Sequence, residues 1–153
     1  MDLVVSEWVI HDLLGENGDQ RRKETWLFLE ELIKRCDRIA VLKGSPWMGK
    51  AYRLMRREDP FTRSLSRLLH GILRDSCKTL SFNPWDISSI PSHLREHVPD
   101  EDRYLIELYL SAKAEVLVTT DDKLKRELSG FEEIKIRLRD EFLAEYLKAE
   151  KGR

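Results

Sequence analysis

Short runs of β-branched and apolar residues recur along the chain, and most are followed by a stretch long enough to form a helix. DLVVS (2–6), RIAVLK (38–43), KTLSF (78–82), EVLVTT (115–120) and EIKIRL, in the 132–138 region, read as strands. In RRKETWLFLEELIKRC (21–36), Trp26, Leu29, Ile33 and Cys36 fall at helical three-to-four spacing. A second helix is expected from Pro46 to Arg57, with proline near its start. PFTRSLSRLLHGILRDSC (60–77) aligns Phe61, Leu65, Leu68, Leu69, Ile72 and Leu73 in one stripe and keeps its arginines mostly off it. DEDRYLIELYLSAKA (100–114) and RDEFLAEYLKAE at the end read as helices, whereas 83–99 is irregular with one helical turn. EVLVTT is an almost unbroken apolar run, as expected of a strand covered on both faces. Alternating strand and helix therefore predicts an α/β three-layer sandwich around a mainly parallel sheet of about five strands.

The 153 residues suit a single domain over 1–153. No stretch approaches the ~18 apolar residues of a membrane helix. The first residues lack the basic-then-apolar pattern of a secretory signal, so the expected location is cytoplasmic, with no membrane partner. Cys36 and Cys77 have neither metal-ligand spacing nor a secretory context, and are expected to be reduced, packed thiols. The net charge is −1 but unevenly spread. Residues 50–78 carry eight basic and three acidic side chains, a local +5, leaving −6 elsewhere. A basic surface on a near-neutral chain suits an anionic partner such as RNA; a solvated arginine-rich helical face is the competing explanation.

Acidic residues cluster at two places near the carboxyl half: Asp100, Glu101 and Asp102 open a helix, and Asp121 and Asp122 follow the next strand. In parallel sheets ligands bind beyond the carboxyl ends of the strands. A helix antiparallel to the strand after it returns its first turn to that same edge, so Asp102 and Asp121 become expected neighbours. Clustered carboxylates repel unless a cation neutralises them, and hard oxygen donors suit Mg²⁺ or Mn²⁺. Helix capping explains the same residues without a metal.

The stretch PDEDRYLIELYLSAKAEVLVTTDDKL resembles the distal half of a PIN domain, with Asp102, Glu107, Ala114, Thr119, Asp121 and Leu124 at the matching positions. The closing strand and helix, and the opening strand with a helical segment after it, are similar to that family too. The resemblance implies a metal-dependent ribonuclease of the kind found in toxin–antitoxin pairs and RNA processing, and PIN relatives often form homodimers. It assigns Asp102 and Asp121 to a Mg²⁺ or Mn²⁺ ion, Asp122 or Glu7 to a water, and Thr119 either to supporting the ion's ligands or to a phosphate. Arg53, Arg56 and Arg57 would hold the RNA backbone. Two positions depart from the family pattern. Ser6-Glu7-Trp8 stands where the first acid belongs, and Glu7 points away from the position-6 side unless the backbone turns there. Lys50 and Ala51 stand where a second acid is usual, which favours phosphate binding without cleavage. A catalytically degenerate PIN-like module that binds RNA or a protein partner is thus the alternative.

A third reading comes from GSPWMGKA (44–51), which satisfies G-x-x-x-x-G-K between a strand and a helix, the context of a nucleotide-binding P-loop. Ala51 replaces the hydroxyl that would hold Mg²⁺, Pro46 removes an amide donor, and Trp47 is bulky for a phosphate cradle. Trp8 and Trp47 near the presumed site offer base stacking as an expectation beside their default core role.

Overall fold

The computed structural model describes residues 1–151, with side chains through Lys148. Its five strands are β1 (Asp2–Val5), β2 (Arg38–Leu42), β3 (Thr79–Phe82), β4 (Val116–Thr119) and β5 (Ile136–Leu138), arranged β3-β2-β1-β4-β5 and all parallel. The chain first builds outward from β1 through β2 to β3, then returns to the other side of β1 with β4. That reversal places a topological switch point between the carboxyl ends of β1 and β4.

Strand periodicity divides the core into two. Leu3, Val5, Ile39, Val41, Val116 and Val118 face one side, where α1 (Trp8–Leu13), α2 (Asp19–Lys34), α3 (Pro46–Met55), α4 (Pro60–Arg74) and α8 (Arg139–Lys151) pack. Val4, Ala40 and Leu117 face the other, under α5 (Ser92–Arg95), α6 (Arg103–Ala112) and α7 (Asp122–Leu128). The expected three-layer sandwich is formed, and β4 is buried at every position.

Local chemistry sets the helix starts. The Ser45 hydroxyl accepts from the Met48 amide at 3.2 Å with Pro46 in the first turn; Asp59 accepts from the Thr62 amide at 3.0 Å ahead of Pro60. The helix ends differ from the sequence expectation. α2 and α4 stop at Lys34 and Arg74, so Cys36 and Cys77 lie past their apolar stripes and are exposed rather than packed. Phe61 is 62% exposed, under the Arg22 guanidinium at 4.3 Å, while Leu65, Leu69 and Ile72 enter the core. Residues 100–102 form a 3-10 turn ahead of α6 instead of its first helical turn. Among the described residues, no helix is long and apolar enough to cross a membrane.

One ionic network ties the two chain ends together. Arg139, 2% exposed at the start of α8, donates from Nε to Asp12 Oδ2 at 2.8 Å. Its other nitrogens reach Asp140, Glu24, Thr25 and the Arg21 carbonyl. Asp12, fully buried on α1, also accepts from Thr25 Oγ1 at 2.8 Å and Asn17 Nδ2 at 2.7 Å. Burying two charges is costly, but every oxygen of Asp12 is engaged, and removal of one partner would strand the other. Arg139→Ala is expected to cost about 3–5 kcal/mol in urea denaturation. The Asp12→Ala/Arg139→Ala pair should lose clearly less than the sum of the single losses; strict additivity would mean that the two charges are not coupled.

Candidate functional site

β1 ends at Val5, and Glu7 takes a helical backbone conformation (φ −69°, ψ −6°) ahead of α1. The backbone therefore does turn there, and Ser6 and Glu7 both face the switch-point crevice. At the end of β4, Thr119, Thr120 and Asp121 reach the same place, and the 3-10 turn before α6 brings Asp102 to it. Together with Trp8, His11, Glu16, Asn17 and Leu105 they line one cavity of about 340 Å³. The expected meeting of Asp102 with Asp121 is realised, although the two are far apart in sequence.

The carboxylates are not equivalent. Asp102 is half-buried, and its pKa is pushed up to about 6, first by burial and then by the charges of Asp121, Glu101 and Glu7. Asp121 caps α7: its Oδ1 accepts from the Leu124 amide at 3.1 Å, while its own amide donates to Thr119 Oγ1 at 3.1 Å. Capping and cavity lining thus coexist on this residue. Glu7 is held from two sides, by Lys50 Nζ at 2.8 Å on Oε2 and by the Tyr104 hydroxyl at 3.1 Å on Oε1. Burial and the neighbouring Glu7 raise the pKa of Tyr104, so it stays a hydrogen-bond donor.

Lys50 also donates to His11 Nε2 at 3.0 Å. An ammonium cannot accept, so Nε2 carries the lone pair and Nδ1 carries the proton that goes to Glu16 Oε2. Tyr104, Glu7, Lys50, His11 and Glu16 form one chain of polar contacts, of which Glu7, His11 and Glu16 line the cavity. His11, Glu16 and Tyr104 were not singled out by sequence. The signal was present for His11, four residues after Glu7 and so on the same helical face, but α1 is too short and apolar to read as a helix.

Other expected residues lie elsewhere. Asp122 is exposed and pairs with Arg126 at 3.1 Å, one helical turn on, and it does not line the cavity. Arg53, Arg56 and Arg57 are exposed toward the far end of α3, outside the cavity lining. Glu107 accepts from the Ile90 amide at 2.8 Å, pinning the irregular 83–99 segment to α6. Trp8 and Trp47 are 3% and 4% exposed and donate to the Val118 and Ser6 carbonyls, so neither ring is free to stack on a base. α3 begins at Pro46, making Trp47, Met48, Gly49 and Lys50 helical. The open loop that would cradle nucleotide phosphates is not formed, and Lys50 is already engaged by Glu7.

Asp102 and Asp121 offer oxygen donors only, which fits a Mg²⁺ or Mn²⁺ ion held through two carboxylates with water and phosphate completing its shell. Among the described residues there is no group of three or more His, Cys, Asp or Glu side chains arranged to hold a metal ion. Glu7, committed to Lys50 and Tyr104, adds negative potential rather than a free ligand.

The raised pKa of Asp102 carries a stability consequence. Its folded value lies above the ordinary 3.8, so the ionised side chain destabilises the fold. That penalty is absent below pH 3.8, grows through the interval up to about 6 and is complete above it. Asp102→Asn is therefore expected to raise the urea midpoint at pH 7.5, and the gain should shrink toward zero as the pH approaches 4. An equal gain at both pH values would contradict the electrostatic cause.

Comparison with known protein families, characterised proteins and solved structures gives no match.

Proposed function

We propose that this chain is a PIN-like, divalent-metal-dependent endoribonuclease that hydrolyses RNA phosphodiester bonds at the β1/β4 crevice. The observation that carries the reading is the convergence of Asp102, Asp121 and Glu7 on one cavity, where burial first and the neighbouring carboxylates second raise the pKa of Asp102. The parallel strand order and the resemblance of residues 98–124 to the distal half of a PIN domain support it.

Asp102 and Asp121 would hold the ion. When bound, a divalent ion supplies Lewis-acid polarisation of a phosphoryl oxygen and lowers the pKa of a coordinated water. The remaining roles belong to the chain. Glu7, fixed by Tyr104 and Lys50, orients the attacking water from the β1 side and accepts its proton. Thr119, buried at the end of β4, positions the Asp121 backbone through its hydroxyl and stiffens that edge of the cavity. Ser6 adds a further hydroxyl at the same edge. In-line attack forms a P–O bond to the water oxygen and breaks the P–O bond to the leaving strand, whose oxygen takes up a proton from solvent.

The ion pair between Lys50 and Glu7 favours a second reading, a degenerate PIN-like module that binds RNA or a protein partner without cutting it. Lys50 neutralises the carboxylate that would orient water, and its charge opposes a nearby cation.

Labelled single-stranded RNA incubated with the purified chain should be cleaved with Mn²⁺ and not with EDTA, and Asp121→Asn should reduce cleavage to background. Cleavage that is absent with Mn²⁺, or that survives Asp121→Asn, would sink the hydrolytic reading. Binding has a separate readout. At 100 times its Kd, Mn²⁺ should stabilise the wild-type fold by about 2.7 kcal/mol, and Asp102→Asn should lose that gain. Lys50→Ala should tighten Mn²⁺ binding by about tenfold, because one positive charge near the ion is removed.

A further inference from the structure

A second cavity, of about 460 Å³, lies between α3 and α4 and has the opposite chemistry. Arg63, Ser66, Arg67 and His70 line it from α4 at spacings of three and four, so they form one helical face. Tyr52 and Met55 line it from α3, with Arg56 just past the end of that helix. The side chains of Arg56, Arg63 and Arg67 form no ion pair or hydrogen bond among the described residues. Some arginines elsewhere, Arg38, Arg137 and Arg139 among them, hold a carboxylate. Asp59, the nearest acid ahead of α4, is committed to capping that helix.

We propose that this groove binds the backbone of single-stranded RNA, with phosphates on Arg56, Arg63 and Arg67 and a base stacked on Tyr52. Three guanidinium groups around one cavity repel one another, and a polyanion relieves that repulsion while releasing its own counterions. Arg63 and Arg67, one helical turn apart, can engage successive phosphates. Tyr52 is half-exposed beside them, and the partly buried Met55 adds an apolar surface on the α3 side. An aromatic ring next to unpaired arginines is the combination by which proteins grip unpaired bases, whereas a purely acidic protein partner would have no use for the ring.

The groove is separate from the acidic cavity. Tyr52 lies two residues beyond Lys50, about 200° round α3. Lys50 turns toward α1 through Glu7 and His11, while Tyr52 turns toward α4. The proposal shares RNA with the hydrolytic reading but rests on different residues and needs neither metal nor cleavage.

Fluorescence anisotropy with a short labelled oligouridylate, in EDTA and across a salt series, tests it. Arg63→Ala/Arg67→Ala should weaken binding by about tenfold or more and lower the log–log salt slope by about 1.4, since each single-strand phosphate contact contributes ~0.7. Tyr52→Ala should weaken binding by about tenfold through lost stacking. The charge-matched Arg95→Ala/Lys123→Ala variant, exposed and away from the groove, should stay within about twofold, as expected if local contacts rather than overall charge hold the strand. No binding at the lowest salt, equal loss in both double variants, or equally tight binding of polyglutamate would overturn the proposal. Binding without cleavage would sink the hydrolytic reading alone, and cleavage with groove-independent binding would sink this one alone.

Discussion

The buried contact between Arg139 and Asp12 is the constraint on which the rest of the arrangement depends. Arg139 follows β5 directly, and Asp12 sits on the short helix that leaves β1, so one guanidinium joins the last strand connection to the first. The same guanidinium lies 5.3 Å from the centre of the Trp8 ring, and Trp8 donates to the β4 carbonyl of Val118. A six-residue helix has no independent stability in water. Held in this way, α1 keeps Glu7 and His11 at the edge of the sheet. A buried ion pair rarely stabilises a fold more than an apolar pair would, but here it joins α1, α2 and α8, and removal of either charge strands the other.

With α1 fixed, the location of the acidic cavity follows from topology. Parallel strands put all their carboxyl ends on one edge, and the β1/β4 reversal opens a crevice there. Three carboxylates and one lysine meet around it, and their balance sets the chemistry. Lys50 and Tyr104 remove Glu7 from the set of free ligands, while Asp102 and Asp121 remain mutually repelling. The crevice is thus less negative than three carboxylates alone would make it.

Positive charge is segregated by the same packing. α3 turns Lys50 toward the acids on one flank and Tyr52 and Arg56 toward α4 on the other. Within the basic segment that stood out in composition, the arginines are exposed; Arg56, Arg63 and Arg67 line the groove beside Tyr52, and Arg53 and Arg57 do not. Acidic and basic surfaces therefore occupy opposite flanks of one helix.

The residues alone were enough to determine the layered α/β class, the five strands, and the pairing of Asp102 with Asp121. Each of these follows from local periodicity combined with the one geometry that parallel crossovers permit. Helix ends, and with them the exposure of Cys36 and Cys77, were not legible, because an apolar stripe does not say where the backbone stops being helical. The turn at Glu7 was hidden too: a six-residue apolar helix has the same composition as a strand. Only the tertiary structure decided that Lys50 would neutralise Glu7, that Asp122 would stay outside the crevice, and that Arg56 would face α4 instead of the acids. Those outcomes depend on which flank of a helix meets which neighbour, and that is set by packing across elements distant in the chain.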